Sequence, residues 1–137
     1  LSNFCCPHTN FSVGVSLLTK DGKIYTGFNI ENHGILSICG ERSAFVKALT
    51  EGCREFVAIA VVGKDLNAKL FRKTVPCGYC RQFMSEYANK DFMIYTYDDE
   101  EEGHLEHAFL HSVAFSLPAE RNRAGNGELF RHDHQER

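Results

Sequence analysis

The chain lacks any run near the ~18 consecutive apolar residues that a membrane-spanning helix requires; its longest clear one is Phe56 to Val62. No spanning helix and no membrane partner are expected. No basic stretch followed by an apolar one opens the sequence at Leu1, so no secretory leader is expected and the default compartment is cytoplasmic. A surplus of positive charge is also missing, with 15 Lys and Arg against 18 Asp and Glu. A polymer of phosphates favours a basic stripe and a pI above ~9. Here the pI is 6.2 and the cations are scattered, which argues against a nucleic-acid polymer as the main ligand. Repeats of solenoid length and low-complexity tracts are absent.

What is present is ordinary globular composition, 43% apolar and 24% charged over 137 residues. Domains commonly run to ~100–200 residues, so one is expected, over 1–118. Residues 119–137 are polar, with Gly125 and Gly127 and no apolar period, and are expected to form a disordered tail. Net charge is −3, and would be +2 without the run Asp98, Asp99, Glu100, Glu101 and Glu102. That run reads as a solvated turn after a strand.

Apolar residues dominate Phe11 to Leu18, an Asp21-Gly22 turn signal follows, and β-formers continue from Lys23 to Ile30, as in a β-hairpin. Between Ile38 and Glu51 the positions Ala44, Phe45, Ala48 and Leu49 keep helical spacing, and Gly52 stands where a helix stops. The continuous run Phe56 to Val62 predicts a strand covered on both faces, central in its sheet. A polar loop from Lys64 to Thr74 leads to Pro76. Phe83, Met84, Tyr87 and Ala88 then predict a second helix, and Phe92 to Tyr97 another strand. The order β-β-α-β-α-β implies crossover helices whose starts, near Ile38 and near Pro76, open on one sheet edge, where ligands favour binding.

Six cysteines, at 5, 6, 39, 53, 77 and 80, are an even number, but a chain of this length builds a core without disulfides. Cys77-Gly78-Tyr79-Cys80 is a C-x-x-C at a predicted helix start, a spacing that lets both sulfurs reach one metal ion. Alone it fits a redox pair as well. Cys39, at the other strand-helix junction, would be brought to the same point by the crossovers and supply a third ligand. Three protein ligands leave a tetrahedral position open, as in a catalytic rather than a closed structural zinc site. Three thiolates and one zinc ion sum to −1, which calls for compensation from the helix N-termini and from Arg42. Glu41, on the first helical turn, can stand over the metal without ligating it and carry protons. Away from a metal it would only complement the helix dipole.

The ordered set Cys39-Gly40-Glu41-Arg42 and Pro76-Cys77-Gly78-Tyr79-Cys80-Arg81-Gln82 resembles the cytidine deaminase family, in its small three-cysteine homotetrameric branch. The likeness runs from about Cys6 to Asp91, through Cys6 to Gly14, Gly27 to Asn32 and Glu51 to Phe56. It implies an α/β fold, a three-layer α-β-α sandwich whose mixed sheet has a β-hairpin followed by β-α-β units. It further implies one zinc per chain on Cys39, Cys77 and Cys80, Glu41 as proton shuttle, Asn29 and Glu31 on the ribose, and Phe11 against the pyrimidine.

Departures from the family pattern are local. Glu31 and Cys39 are eight residues apart, one short of the usual spacing, and that loop lacks the expected aromatic residue. Tyr79 replaces a small residue, no counterpart of the relatives' N-terminal helix is expected ahead of Cys6-Pro7 in this sequence, and the ending is only loosely echoed by Phe109 to Phe115. Cys53 reads as inert packing, Cys5 and Cys6 have no assigned role, and His104, His107 and His111, at helical spacing, read as one polar face. The implied function is zinc-dependent hydrolytic deamination of cytidine or deoxycytidine in pyrimidine salvage, by a homotetramer. The alternatives are another aminopyrimidine nucleoside of blasticidin type, or an inactive zinc-binding relative serving as a subunit or interaction module.

Overall fold

The computed structural model describes residues 5–99 and, as backbone, 104–109. The hairpin forms as its Asp21-Gly22 turn signal predicts, β1 (Phe11–Thr19) pairing antiparallel with β2 (Ile24–Phe28). Gly22 at φ +84° closes the turn, in the left-handed region that glycine enters without a Cβ penalty. The Thr19 hydroxyl bonds Asp21 and the Lys23 carbonyl there.

A short 3-10 turn (Gly34–Leu36) leads into α1 (Gly40–Thr50), which ends at Glu51 with Gly52 at φ +90°, the expected glycine stop. Then come β3 (Phe56–Asp65), α2 (Gly78–Tyr87), β4 (Met93–Asp98) and β5 (His104–Phe109). The sheet order is β2-β1-β3-β4-β5, so β3 is central as expected, but only one of its faces is covered among the described residues, with Val57 42% exposed on the other. It pairs antiparallel with β1 and parallel with β4.

Register places Val15 opposite Gly27 and Val61, and Leu17 opposite Tyr25 and Ile59. Val15, Leu17, Tyr25, Ile59, Val61 and Ile94 share one buried cluster with Ala44, Phe45 and Ala48 of α1 and Cys80 and Met84 of α2. Phe45 is its centre, its ring 4.7 Å from Phe56 and 5.9 Å from Phe92. Both helices therefore press on one face of the sheet, which brings their N-termini side by side. The second helical layer of a three-layer sandwich is not among the described residues, and the tail expected over 119–137 also lies outside them.

Two expectations change. His104 and His107 keep helical spacing in the sequence, yet they lie on β5, paired with Asp98 and Tyr95 of β4. Pairing across β4 overrides the local pattern. His111 lies outside the described residues. The start of the acidic run is not simply solvated either: Asp98 is buried, and Asp99 accepts hydrogen bonds from the Phe71 amide at 2.7 Å and the Tyr97 hydroxyl at 2.9 Å. Asp99 thus ties the loop between β3 and α2 to the end of β4.

Candidate metal centre and ligand pocket

The two helices begin at cysteines. Cys39 is the residue immediately before α1 and Cys77 the one before α2, while Cys80 lies on the first turn of α2. Close approach of α1 to the sheet fixes the first of them. A Cβ on Gly27 would collide with the Gly40 carbonyl and come within 2.7 Å of the Ala44 amide nitrogen, so only glycine lets β2 and α1 touch here.

As a result the three sulfurs lie within 4.8 Å of one another. Cys39 Sγ and Cys77 Sγ are 3.7 Å apart. A tetrahedral zinc with Zn–S bonds of ~2.3 Å would hold its sulfurs ~3.8 Å apart, so this spacing fits the ion. All six cysteines are free, which leaves the disulfide reading without a pair.

The electrostatics fit a thiolate centre. A hydrogen bond from Cys80, aided by Arg42 and Cys77, holds the Cys39 thiol down at about 5, whereas Cys80 is pushed up as the donor to Cys39 and by burial. The Arg42 guanidinium lies 3.7 Å from Cys39 Sγ and is braced at 3.2 Å by the Ser37 carbonyl. It supplies the compensating charge expected of it. Glu41 is only 4% exposed, and its carboxyl is pushed up by burial and by the negative charge on Cys39.

A cavity of about 470 Å³ opens beside this centre, lined by Phe11, Asn29, Glu31, Cys39, Glu41 and Cys77 among others. The structure thus gathers every residue singled out from the sequence, with Cys80 and Arg42 just behind the wall. Their states differ from simple availability. The Asn29 amide is already engaged across the hairpin, accepting from the Val13 amide and donating to the Phe11 carbonyl, both at 2.9 Å. Glu31 accepts from the His8 amide at 2.7 Å, the Thr9 amide at 3.1 Å and the Thr9 hydroxyl. Burial alone would push its carboxyl up, but the Thr9 and His8 bonds outweigh it and hold it below the usual range.

Sequence reasoning passed over Thr9, the wall residues Thr74 and Val75, and Gly63. A Cβ on Gly63 would collide with the Thr74 hydroxyl and lie 2.8 Å from two atoms of the Phe11 ring, so this glycine seats the ring in the wall. The glycine that directly follows the β3 apolar run was the one available signal. Cys53, read as packing, lies against the core and 3.4 Å from the Tyr25 hydroxyl.

Three cysteine sulfurs at two helix starts, an arginine on the sulfurs and a buried glutamate facing an open cavity define a metal-dependent site in an α/β fold. The cytidine and deoxycytidylate deaminase zinc-binding region matches residues 2–96. The chain belongs to that family, and its Cys39, Cys77 and Cys80 lie close enough together to hold a metal ion. It is 47% identical over 90 residues to a cytidine deaminase of Halalkalibacterium halodurans, covering 65% of this chain and 64% of that one. It is 46% identical over 85 residues to a probable cytidine deaminase of Dictyostelium discoideum, covering 61% and 55%. The matches thus span under two thirds of these relatives' lengths. The crystal structure of cytidine deaminase from Burkholderia pseudomallei superposes with a TM-score of 0.68 at 35% identity, covering 81% of this chain and 87% of that one.

Proposed function

We propose that the protein hydrolytically deaminates cytidine and deoxycytidine, releasing ammonia and the corresponding uridine. The observation that carries this reading is the buried Glu41 carboxyl on the wall of the same cavity as Cys39 and Cys77. Held by the three thiolates, a zinc ion would lower the pKa of a bound water toward neutrality. Glu41, not needed as a ligand, accepts a proton from the attacking water, passes it to N3 as C4 is attacked, and helps protonate the departing amine. Arg42 offsets the negative charge of the sulfurs. The Phe11 ring, seated by Gly63, offers a face to the pyrimidine, and Glu31 offers its one remaining lone pair, on Oε1, to a sugar hydroxyl. Asn29 acts first on the protein, holding the Phe11 to Val13 backbone, and has one amide hydrogen left for the sugar.

Homotetramer assembly, a place in pyrimidine salvage and a cytoplasmic location belong to the same reading. Exposed apolar side chains beside the pocket, Ile35 at 92% and Leu36 at 71%, support assembly because a solvated monomer gains nothing from them. The described residues contain no helix long and apolar enough to cross a membrane. The shortened loop from Asn32 to Ile38 favours a second reading, an aminopyrimidine nucleoside with a different sugar or substituent. Uridine formation from cytidine by the purified zinc-loaded protein tests the first reading. Turnover confined to other aminopyrimidine nucleosides establishes the second, and zinc without any turnover leaves an inactive relative.

A further inference from the structure

We infer that Thr9 is a positioning residue, whose hydroxyl locks the sugar-facing carboxylate of Glu31 to the backbone that carries Phe11. The inference rests on the deaminase reading for its kinetic consequence and on the geometry alone for its structural one. Thr9 lies in the turn before β1, on the cavity wall, and its hydroxyl makes two bonds. It donates to Glu31 Oε1 and accepts from the Phe11 amide at 3.1 Å. The other carboxylate oxygen, Oε2, takes the amides of His8 and Thr9. The Glu31 backbone is tied to the same segment, its amide donating to the Cys5 carbonyl at 2.7 Å.

The bonds on Oε2 come from the main chain and survive substitution. With them alone the carboxylate is pinned at one oxygen and can pivot about it. The Thr9 hydroxyl removes that freedom. It also couples the two halves of the pocket, because the atom that holds Oε1 is the one that receives the Phe11 amide. A nucleoside spans those halves, its base at Phe11 and its sugar at Glu31, so their spacing should matter more to binding than either contact alone. Such preorganisation lowers the ordering cost of binding rather than the chemical barrier.

Thr9→Val keeps the shape and deletes the hydroxyl, whereas Thr9→Ser keeps the hydroxyl. Thr9 is exposed, so neither change threatens the core. Thr9→Val should raise KM for cytidine roughly tenfold or more with kcat changed far less, and Thr9→Ser should restore it. In a Glu31→Ala background Thr9→Val should have little further effect, since the carboxylate it positions is gone. The second measurement does not need turnover: NMR titration of the Glu31 carboxyl should show its pKa rising toward the ordinary carboxylate range in Thr9→Val and staying low in Thr9→Ser. An unchanged Glu31 titration in Thr9→Val overturns the inference, as does an equal KM penalty with and without Glu31. A wild-type protein that turns over no nucleoside sinks the deaminase reading, and the titration then decides Thr9 by itself.

Discussion

The sulfurs of Cys39 and Cys77 stand 3.7 Å apart across 38 residues of chain, each at the start of a different helix. Two crossovers on one face of a sheet produce that meeting, and Cys80 completes it from the first turn of α2. Replacing Cys39, Cys77 or Cys80 by Ser should abolish stoichiometric zinc binding, while Cys53→Ser should keep it. Metal analysis of the purified variants checks this. Full zinc in Cys39→Ser would leave only the C-x-x-C and return the site to a redox reading.

Glu41→Gln should keep zinc and fold, because the carboxyl is buried beside the sulfurs without being needed among them. It should lose ~10²–10⁴-fold in kcat, the usual size of positioned proton transfer. Turnover near that of the wild type would reduce Glu41 to a charge at a helix start.

Much of this centre was legible because its parts are local. Cys39-x-Glu41-Arg42 and the C-x-x-C each sit within one helical turn, and the apolar run of β3 specifies a central strand whatever follows it. Less was legible where long-range pairing decides. His104 to Phe109 carries few β-branched residues, and only β4 beside it makes it a strand. Thr9 and Glu31 are 22 residues apart, and nothing in either local sequence says that a turn and a strand end will converge. Asp99 was hidden differently, since five consecutive acids look alike until one of them meets the Phe71 amide.

Gly27→Ala should move α1. The new methyl would meet backbone atoms of Gly40 and Ala44, which cannot yield as a flexible side chain could. Overpacking of this kind is worth ~1–3 kcal/mol of destabilisation, and because α1 carries Cys39 the zinc affinity should fall with it. Gly78→Ala is the contrast, since its Cβ meets nothing within 4 Å and the site is helical. That variant should be neutral or up to ~1 kcal/mol more stable. Denaturant midpoints measured on both proteins check the pair, and an unaffected midpoint in Gly27→Ala would mean that the contact between β2 and α1 is loose.

Asp99 should govern the loop that supplies Thr74 and Val75 to the pocket. Its carboxylate holds the Phe71 amide and the Tyr97 hydroxyl, and its own amide donates to the Phe71 carbonyl at 3.1 Å. The hydrogen bond to Asp99, and next its charge, push the Tyr97 phenol above its ordinary value. A raised folded pKa means stabilisation fully present below ~10 and lost as pH climbs through the raised value. Asp99→Ala should therefore return Tyr97 toward ordinary titration and flatten the alkaline loss of stability. With the Phe71 amide left without its acceptor, at a cost of ~1–3 kcal/mol, amide exchange around Phe71 should quicken relative to β4. KM for the nucleoside should rise while zinc content holds, because the loop forms a wall of the pocket and contributes no sulfur before Cys77. Unchanged exchange and unchanged Tyr97 titration in Asp99→Ala would show that the bridge between Arg72 and Gly63 of β3, with the Arg72–Asp65 ion pair, holds the loop without help from β4.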